Sequence, residues 1–235
     1  MGVWFIPIDY KSKIDKDFGL SIAVYLKYRL RVKGEKSMKR TGTGRRESLE
    51  TKVSVTLNID GEGKANIKTG IGFFDHMLTL FAVHGGFDLD VNCLGDLEVD
   101  GHHSVEDVGI VLGMVFKQAL GERKGIHRYG TMILPMDESL AMVSLDISGR
   151  PYLHLETPPL NQRVGNFDTQ LLEEFLRSFS NHLGLTLHVR VPYGRNTHHI
   201  IEAIFKALGR AMKQAVAIDS GIDAGAVPSS KGILD

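Results

Sequence analysis

Two short motifs of one form, His102-His103-Ser104-Val105-Glu106 and His198-His199-Ile200-Ile201-Glu202, each gather imidazole and carboxylate side chains within about one helical turn. A helix turns ~100° per residue, so the first His and the Glu, at i and i+4, share a face while the second His points away from it. One such motif can therefore serve two ions, and two motifs brought together can build a binuclear site with mixed imidazole and carboxylate donors. A lone His-His pair is more often a surface or core feature. The duplication argues for function.

The duplication extends beyond the motifs. In the first half a helix-like stretch, 73–84, leads through Gly85-Gly86 into the alternating run 87–91, a loop and the first motif. In the second half 171–182 leads through Gly184 into 185–189, a loop and the second motif. Both follow the order helix, strand, loop, helix. Aligning Leu89 with Leu187 sets His76 opposite Glu174, so each half offers four candidate metal ligands. These are His76, His102, His103 and Glu106 in the first, and Glu174, His198, His199 and Glu202 in the second. Such a set suits two six-coordinate ions, and its mixed donors fit Mn, Fe or Zn better than Ca.

The elements that must carry these residues are legible as patterns. Segments 53–59 and 64–68 read as a hairpin around Asp60-Gly61-Glu62-Gly63. Matching strands are expected at 129–134, 141–147 and 152–156, and helices at 168–183 and 198–217. Strands and helices alternate without a uniform βαβ period, which predicts an α+β fold of two pseudo-symmetric repeats rather than a doubly wound sheet. The expected division is an N-terminal extension at 1–46, a first repeat at 47–127, and a second repeat with a C-terminal segment at 128–235. With 235 residues, 43% of them hydrophobic, the chain can bury a substantial core. Its formal charge of zero gives no basic surplus for nucleic acid. Cys93 is the only cysteine, which excludes a Cys-based zinc site and fits a reducing compartment. The apolar run 20–26 is too short to span a bilayer, and no signal-peptide layout precedes it, so a cytoplasmic protein is expected.

A longer series of motifs carries a specific resemblance. Gly70-Ile71-Gly72-Phe73-Phe74-Asp75-His76, His84-Gly85-Gly86-Phe87-Asp88-Leu89, Gly95-Asp96-Leu97 and Asp100-Gly101 before the first motif are followed in order by Ser148-Gly149-Arg150-Pro151-Tyr152, Asn196-Thr197 before the second motif, and Pro228-Ser229-Ser230-Lys231-Gly232. Over about residues 47–234 the chain resembles the imidazoleglycerol-phosphate dehydratases of histidine biosynthesis. The resemblance implies two repeats, each a four-stranded sheet backed by two helices, of the type seen in domain 2 of ribosomal protein S5. It implies a metal-dependent hydro-lyase that converts imidazole glycerol phosphate to imidazole acetol phosphate, with two Mn²⁺ ions per site acting as Lewis acids and template. The proton to be removed sits on a carbon bearing a hydroxyl, so expulsion of the neighbouring hydroxyl by imidazolate electrons must come first. A homo-oligomer, a 24-mer of cubic symmetry, is implied, with sites shared between subunits and neither nucleic acid nor membrane as partner.

By the same resemblance Glu50 is the general base, and His76, Glu106 and Glu202 belong to the catalytic group as well as to the ligand set. Arg128 and Arg150, together with Ser229, Ser230 and Lys231, are associated with the substrate phosphate, and Lys206 with the wall of the substrate site. Glu174 stands where some members carry a histidine. Two rival readings are a binuclear metallohydrolase, which would release phosphate or an amine, and a catalytically silent scaffold held by metals.

Overall fold

The computed structural model describes residues 40–221 and 225–232; most of the expected N-terminal extension therefore lies outside the described residues. The first repeat runs β1 (Thr41–Glu47), β2 (Thr51–Asn58), β3 (Ala65–Lys68), α1 (Gly72–Gly85), β4 (Asp88–Gly95) and α2 (His102–Leu120). The second runs β5 (Tyr129–Met136), β6 (Ser139–Asp146), β7 (Tyr152–Glu156), the short pair β8 (Arg163–Val164) and β9 (Phe167–Asp168), α3 (Leu171–Leu183), β10 (Thr186–Tyr193) and α4 (Thr197–Val216). Alternation makes the strands: Thr51, Val53, Val55 and Leu57 of β2 turn inward while Lys52 and Thr56 face out. Both sheets have four strands, in the orders β1-β2-β4-β3 and β5-β6-β10-β7. The fold is α+β, with helices backing each sheet, as expected.

Three expectations are corrected. Segments 53–59 and 64–68 do not form a hairpin, because β4 lies between them, antiparallel to β2 and parallel to β3. The chain from β3 to β4 passes through α1, and a crossover helix returns the chain parallel to the strand it left. The Asp60-Gly61-Glu62-Gly63 turn is held from β4, whose Asp88 Oδ1 accepts the N–H groups of Glu62 and Lys64 at 2.8 and 3.1 Å. The first repeat also starts upstream of the boundary expected at 47, since β1 pairs along its length with β2.

The helices pair across the repeats. α2 packs chiefly on α3, and α1 on α4. Close approach on the first seam depends on Gly109 and Gly113 of α2, where an added Cβ would lie 3.0 and 2.7 Å from the carbonyl oxygens of Phe175 and Phe179. Between β7 and α3 the chain makes a detour, 157–170, with no counterpart between β3 and α1. It contains β8 and β9 and delivers Phe167, fully buried, against Phe73 and Phe74 of α1, with ring centroids 5.5 and 6.0 Å away. Asp168, expected to start a helix, belongs to β9, and α3 begins at Leu171. Among the described residues no helix is long and apolar enough to cross a membrane.

Candidate active site

The first two turns of α4 and the second turn of α1 bring His76, His198 and Glu202 together, with one ligand atom of each within 4.8 Å of the others. Asn196 sets the helix start by accepting the His198 N–H at 2.9 Å through its side chain. Glu202 Oε2 lies 3.2 Å from His76 Nε2 and 3.1 Å from His198 Nε2, while Oε1 takes Lys206 Nζ at 2.6 Å. The Phe73 ring supports His198 edge-on, centroids 5.0 Å apart. Burial opposes ionisation of the Glu202 carboxyl, but the Lys206 ammonium and then the His76 ring overcome it and bring its pKa down to about 2. Two imidazole nitrogens and an anionic oxygen thus converge on one point. The set fits a divalent transition ion such as Mn, Fe or Zn.

The pseudo-symmetric group is looser. His102 Nε2 lies 3.9 Å from Glu106 Oε2, and Glu174 lines with His102 a cavity of about 500 Å³ whose wall includes Thr157, Leu160 and Thr169 from the detour. Among the described residues His102, Glu106 and Glu174 do not form a cluster as close as the first.

His103 and His199 point elsewhere, each toward a carboxylate. Asp96 faces His103 Nδ1 with Oδ1 and Oδ2 at 3.1 and 3.0 Å, and Glu138 Oε2 accepts from His199 Nδ1 at 2.8 Å. These bonds raise the pKa of both histidines. The His199 bond, reinforced by the backbone N–H of Asn196, holds Glu138 far below the usual carboxylate range. Neither carboxylate stands out in the sequence as a site residue. The available signals were the Gly95-Asp96-Leu97 segment for one and the β5–β6 turn for the other.

Glu50 sits in the β1–β2 turn with Oε1 3.7 Å from His103 Nε2. The turn is anchored to α2 through Asp107, which accepts from Thr51 Oγ1 and, at 2.7 Å, from Arg46 Nε. The Asp96 N–H donates to the Glu50 carbonyl at 3.1 Å. Base candidate and histidine are thus carried by connected elements.

The residues expected at the phosphate gather at the far end of the second sheet. Arg128 is buried, its guanidinium gripping both Asp146 oxygens at 2.6 and 3.0 Å and the Pro228 carbonyl at 2.8 Å, which ties Ser229, Ser230 and Lys231 to that end. Arg150 is exposed in the turn after β6. The Arg128 N–H bonds the Ala215 carbonyl in the last turn of α4, whereas His198 lies in its first. At 1.5 Å per residue these points are ~25 Å apart. One chain does not bring the two groups together.

Comparison with known proteins gives this geometry a family. The model of imidazoleglycerol-phosphate dehydratase matches residues 69–212, a span that holds both HHxxE motifs. The imidazoleglycerol-phosphate dehydratase of Caldanaerobacter subterraneus subsp. tengcongensis is 60% identical over 190 residues, 81% of this chain and 97% of the relative. That of Acetivibrio thermocellus is 57% identical over 189 residues, 80% and 96% of the two chains. The crystal structure of the Staphylococcus aureus N315 enzyme is similar with a TM-score of 0.69 at 42% identity, over 76% of this chain and 99% of that one. The Pyrococcus furiosus enzyme gives 0.68 at 37%, over 81% and 100%. With nearly the whole length of these relatives matched in sequence and in fold, the chain belongs to the imidazoleglycerol-phosphate dehydratase family.

Proposed function

We propose that this hydro-lyase of histidine biosynthesis acts in the cytoplasm on imidazole glycerol phosphate with two divalent ions, Mn²⁺ by expectation, in sites completed between copies of the chain. The convergence of His76, His198 and Glu202 carries the metal reading, because it offers imidazole and carboxylate donors to a single point. When bound there, such ions supply Lewis acidity toward the imidazole ring and orient it. His102, Glu106 and Glu174 are assigned to the second ion, and His103 and His199 to the ions of neighbouring copies.

Glu50 is assigned the carbon-bound proton. It stands in a fixed turn with Oε1 3.7 Å from His103 Nε2, so a substrate held at an ion on that histidine would have this carboxylate within reach as a base. Lys206 holds Oε1 of Glu202 and leaves Oε2 to face the two histidines. Arg150, Ser229, Ser230 and Lys231 are assigned to the phosphate, with Arg128 fixing the segment that carries three of them. The ~25 Å between this cluster and the first metal group is the argument for a shared site in a homo-oligomer, expected as the 24-mer.

The deciding experiment incubates the purified protein with imidazole glycerol phosphate, with and without added Mn²⁺ after chelation. Formation of the ketone with the phosphate still attached, restored by Mn²⁺, is expected. Release of free phosphate would instead support a hydrolase, and turnover in metal-free protein would remove the ions from the reaction.

A further inference from the structure

The two repeats superimpose a pair of hairpins whose turns do different work. Val55 pairs with Val91 in the first sheet as Val143 pairs with Val189 in the second. Counting back the same five positions from each valine reaches Glu50 and Glu138. Glu50 lies on the Nε2 side of His103. Glu138 has moved to the Nδ1 side of His199, and its two oxygens divide their partners. Oε2 meets Nδ1, while Oε1 accepts the N–H groups of Arg195 and Asn196 at 3.1 and 2.7 Å and the Ser139 hydroxyl at 3.2 Å. In the first repeat the matching place at Nδ1 is taken by Asp96.

An ionised carboxylate only accepts, so the ring nitrogen it meets must be the donor. A neutral imidazole with its proton on Nδ1 carries its lone pair on Nε2, the nitrogen left available to an ion. In His199 that nitrogen lies 3.8 Å from Asp137 Oδ2, and in His103 3.7 Å from Glu50 Oε1.

We propose that Glu138 is a positioning residue that locks His199 into the Nδ1–H tautomer with Nε2 presented to a divalent ion, and that Asp96 does the same for His103, leaving Glu50 without that duty. The inference rests on reading both histidines as metal ligands. It separates two substitutions that each remove one negative charge. In Glu138→Gln the amide cannot satisfy its surroundings, which are all donors. If its oxygen keeps Arg195 and Asn196, its NH₂ group meets Nδ1, drives the proton to Nε2 and removes the lone pair from the ion. If it flips, NH₂ meets two backbone N–H groups and the turn comes loose. In Asp96→Asn both original oxygens face the same Nδ1, so the amide can turn its carbonyl there and keep the tautomer.

The test measures Mn²⁺ binding to the intact, chelator-stripped assembly by equilibrium dialysis, with Mn²⁺ alone as probe. Glu138→Gln is expected to weaken the affected ion about 10- to 100-fold, matching His199→Ala, and Asp96→Asn to stay within about threefold of wild type. Glu138→Asp guards against a loosened turn: it keeps an anionic acceptor for Arg195 and Asn196 but withdraws from Nδ1, and the same loss is expected. Melting of the metal-free proteins checks the fold. If His199→Ala binds Mn²⁺ like wild type, the ligand assignment fails. If His199→Ala is weakened but Glu138→Gln and Glu138→Asp are not, the positioning role is overturned while the ligand assignment stands. Equal losses in Glu138→Gln and Asp96→Asn would also overturn it, since charge rather than tautomer would then explain both.

Discussion

Asp107 is where the placement of Glu50 can be tested without touching Glu50 itself. Its carboxylate, 5% exposed, accepts from Thr51 Oγ1, whose residue is 2% exposed, and from Arg46 Nε. In Asp107→Ala the threonine hydroxyl loses a charged acceptor in a buried setting, a loss of about 1.5–3 kcal/mol. The Arg46 side chain is 47% exposed, so its pairing is screened and adds only about 0–1 kcal/mol. Together these give about 1.5–4 kcal/mol, or roughly 3–16 °C in melting temperature for a chain of this size. The larger consequence is positional, because Thr51 follows Glu50, the proposed base, directly, and a ~1 Å drift of a reacting group can reduce turnover about 100-fold. Asp107→Ala should therefore lower kcat by about 10- to 100-fold while Mn²⁺ stoichiometry stays at the wild-type value. Asp107→Asn, which keeps an acceptor for Thr51, should fall between. The assay pairs steady-state kinetics with melting at fixed protein and Mn²⁺ concentration, and hydrogen exchange over residues 47–52 should rise in the alanine variant. A variant that melts and turns over like wild type would refute the idea that this anchor places the base.

Three other outcomes are expected. Glu50→Gln should bind substrate and lose most of its turnover, whereas Arg150→Ala should mainly raise KM; steady-state kinetics separate the two. Glu202 ionises at about 2 in the folded protein against an ordinary 4.5. A carboxyl lowered on folding adds stability that is whole above its unfolded pKa and is lost as pH falls toward its folded one. The melting gap between metal-free wild type and Glu202→Gln should thus be constant above about pH 5 and shrink below it, and a flat gap would count against the ionic reading. Gly130→Ala should destabilise by about 1–3 kcal/mol or more in thermal unfolding, because an added Cβ would meet the Ala211 backbone oxygen of α4 at 2.0 Å.

What the sequence reveals and conceals follows from range. His102 with Glu106 and His198 with Glu202 were legible because helical geometry fixes an i, i+4 pair before any tertiary contact forms. The match of His76 to Glu174 was legible because the repeats keep the same spacing from helix to strand. Asp96, Glu138 and Asp107 were not, since each acquires its role from a partner on another element. β1 is hidden in the sequence for a packing reason: Gly42 and Gly44 lie against Val115 and Val111 of α2, so a face that normally shows alternating apolar side chains shows glycine and reads as a loop. The Asp60-Gly61-Glu62-Gly63 turn misled because its residues favour a hairpin, whereas strand order was decided by the α1 crossover.

The pairing of α2 with α3 and of α1 with α4 means that the border between repeats in the sequence is not a seam in the molecule. Each repeat on its own would keep its sheet but strip its helices of their partners, exposing Phe74, Phe81, Phe175 and Phe179, all of which are at most 1% exposed in the whole chain. A single backbone cut in the connection 121–128 would sever no such contact. Limited proteolysis there should leave a nicked protein that stays folded and comes apart only in denaturant, while either half produced alone should aggregate or remain unfolded.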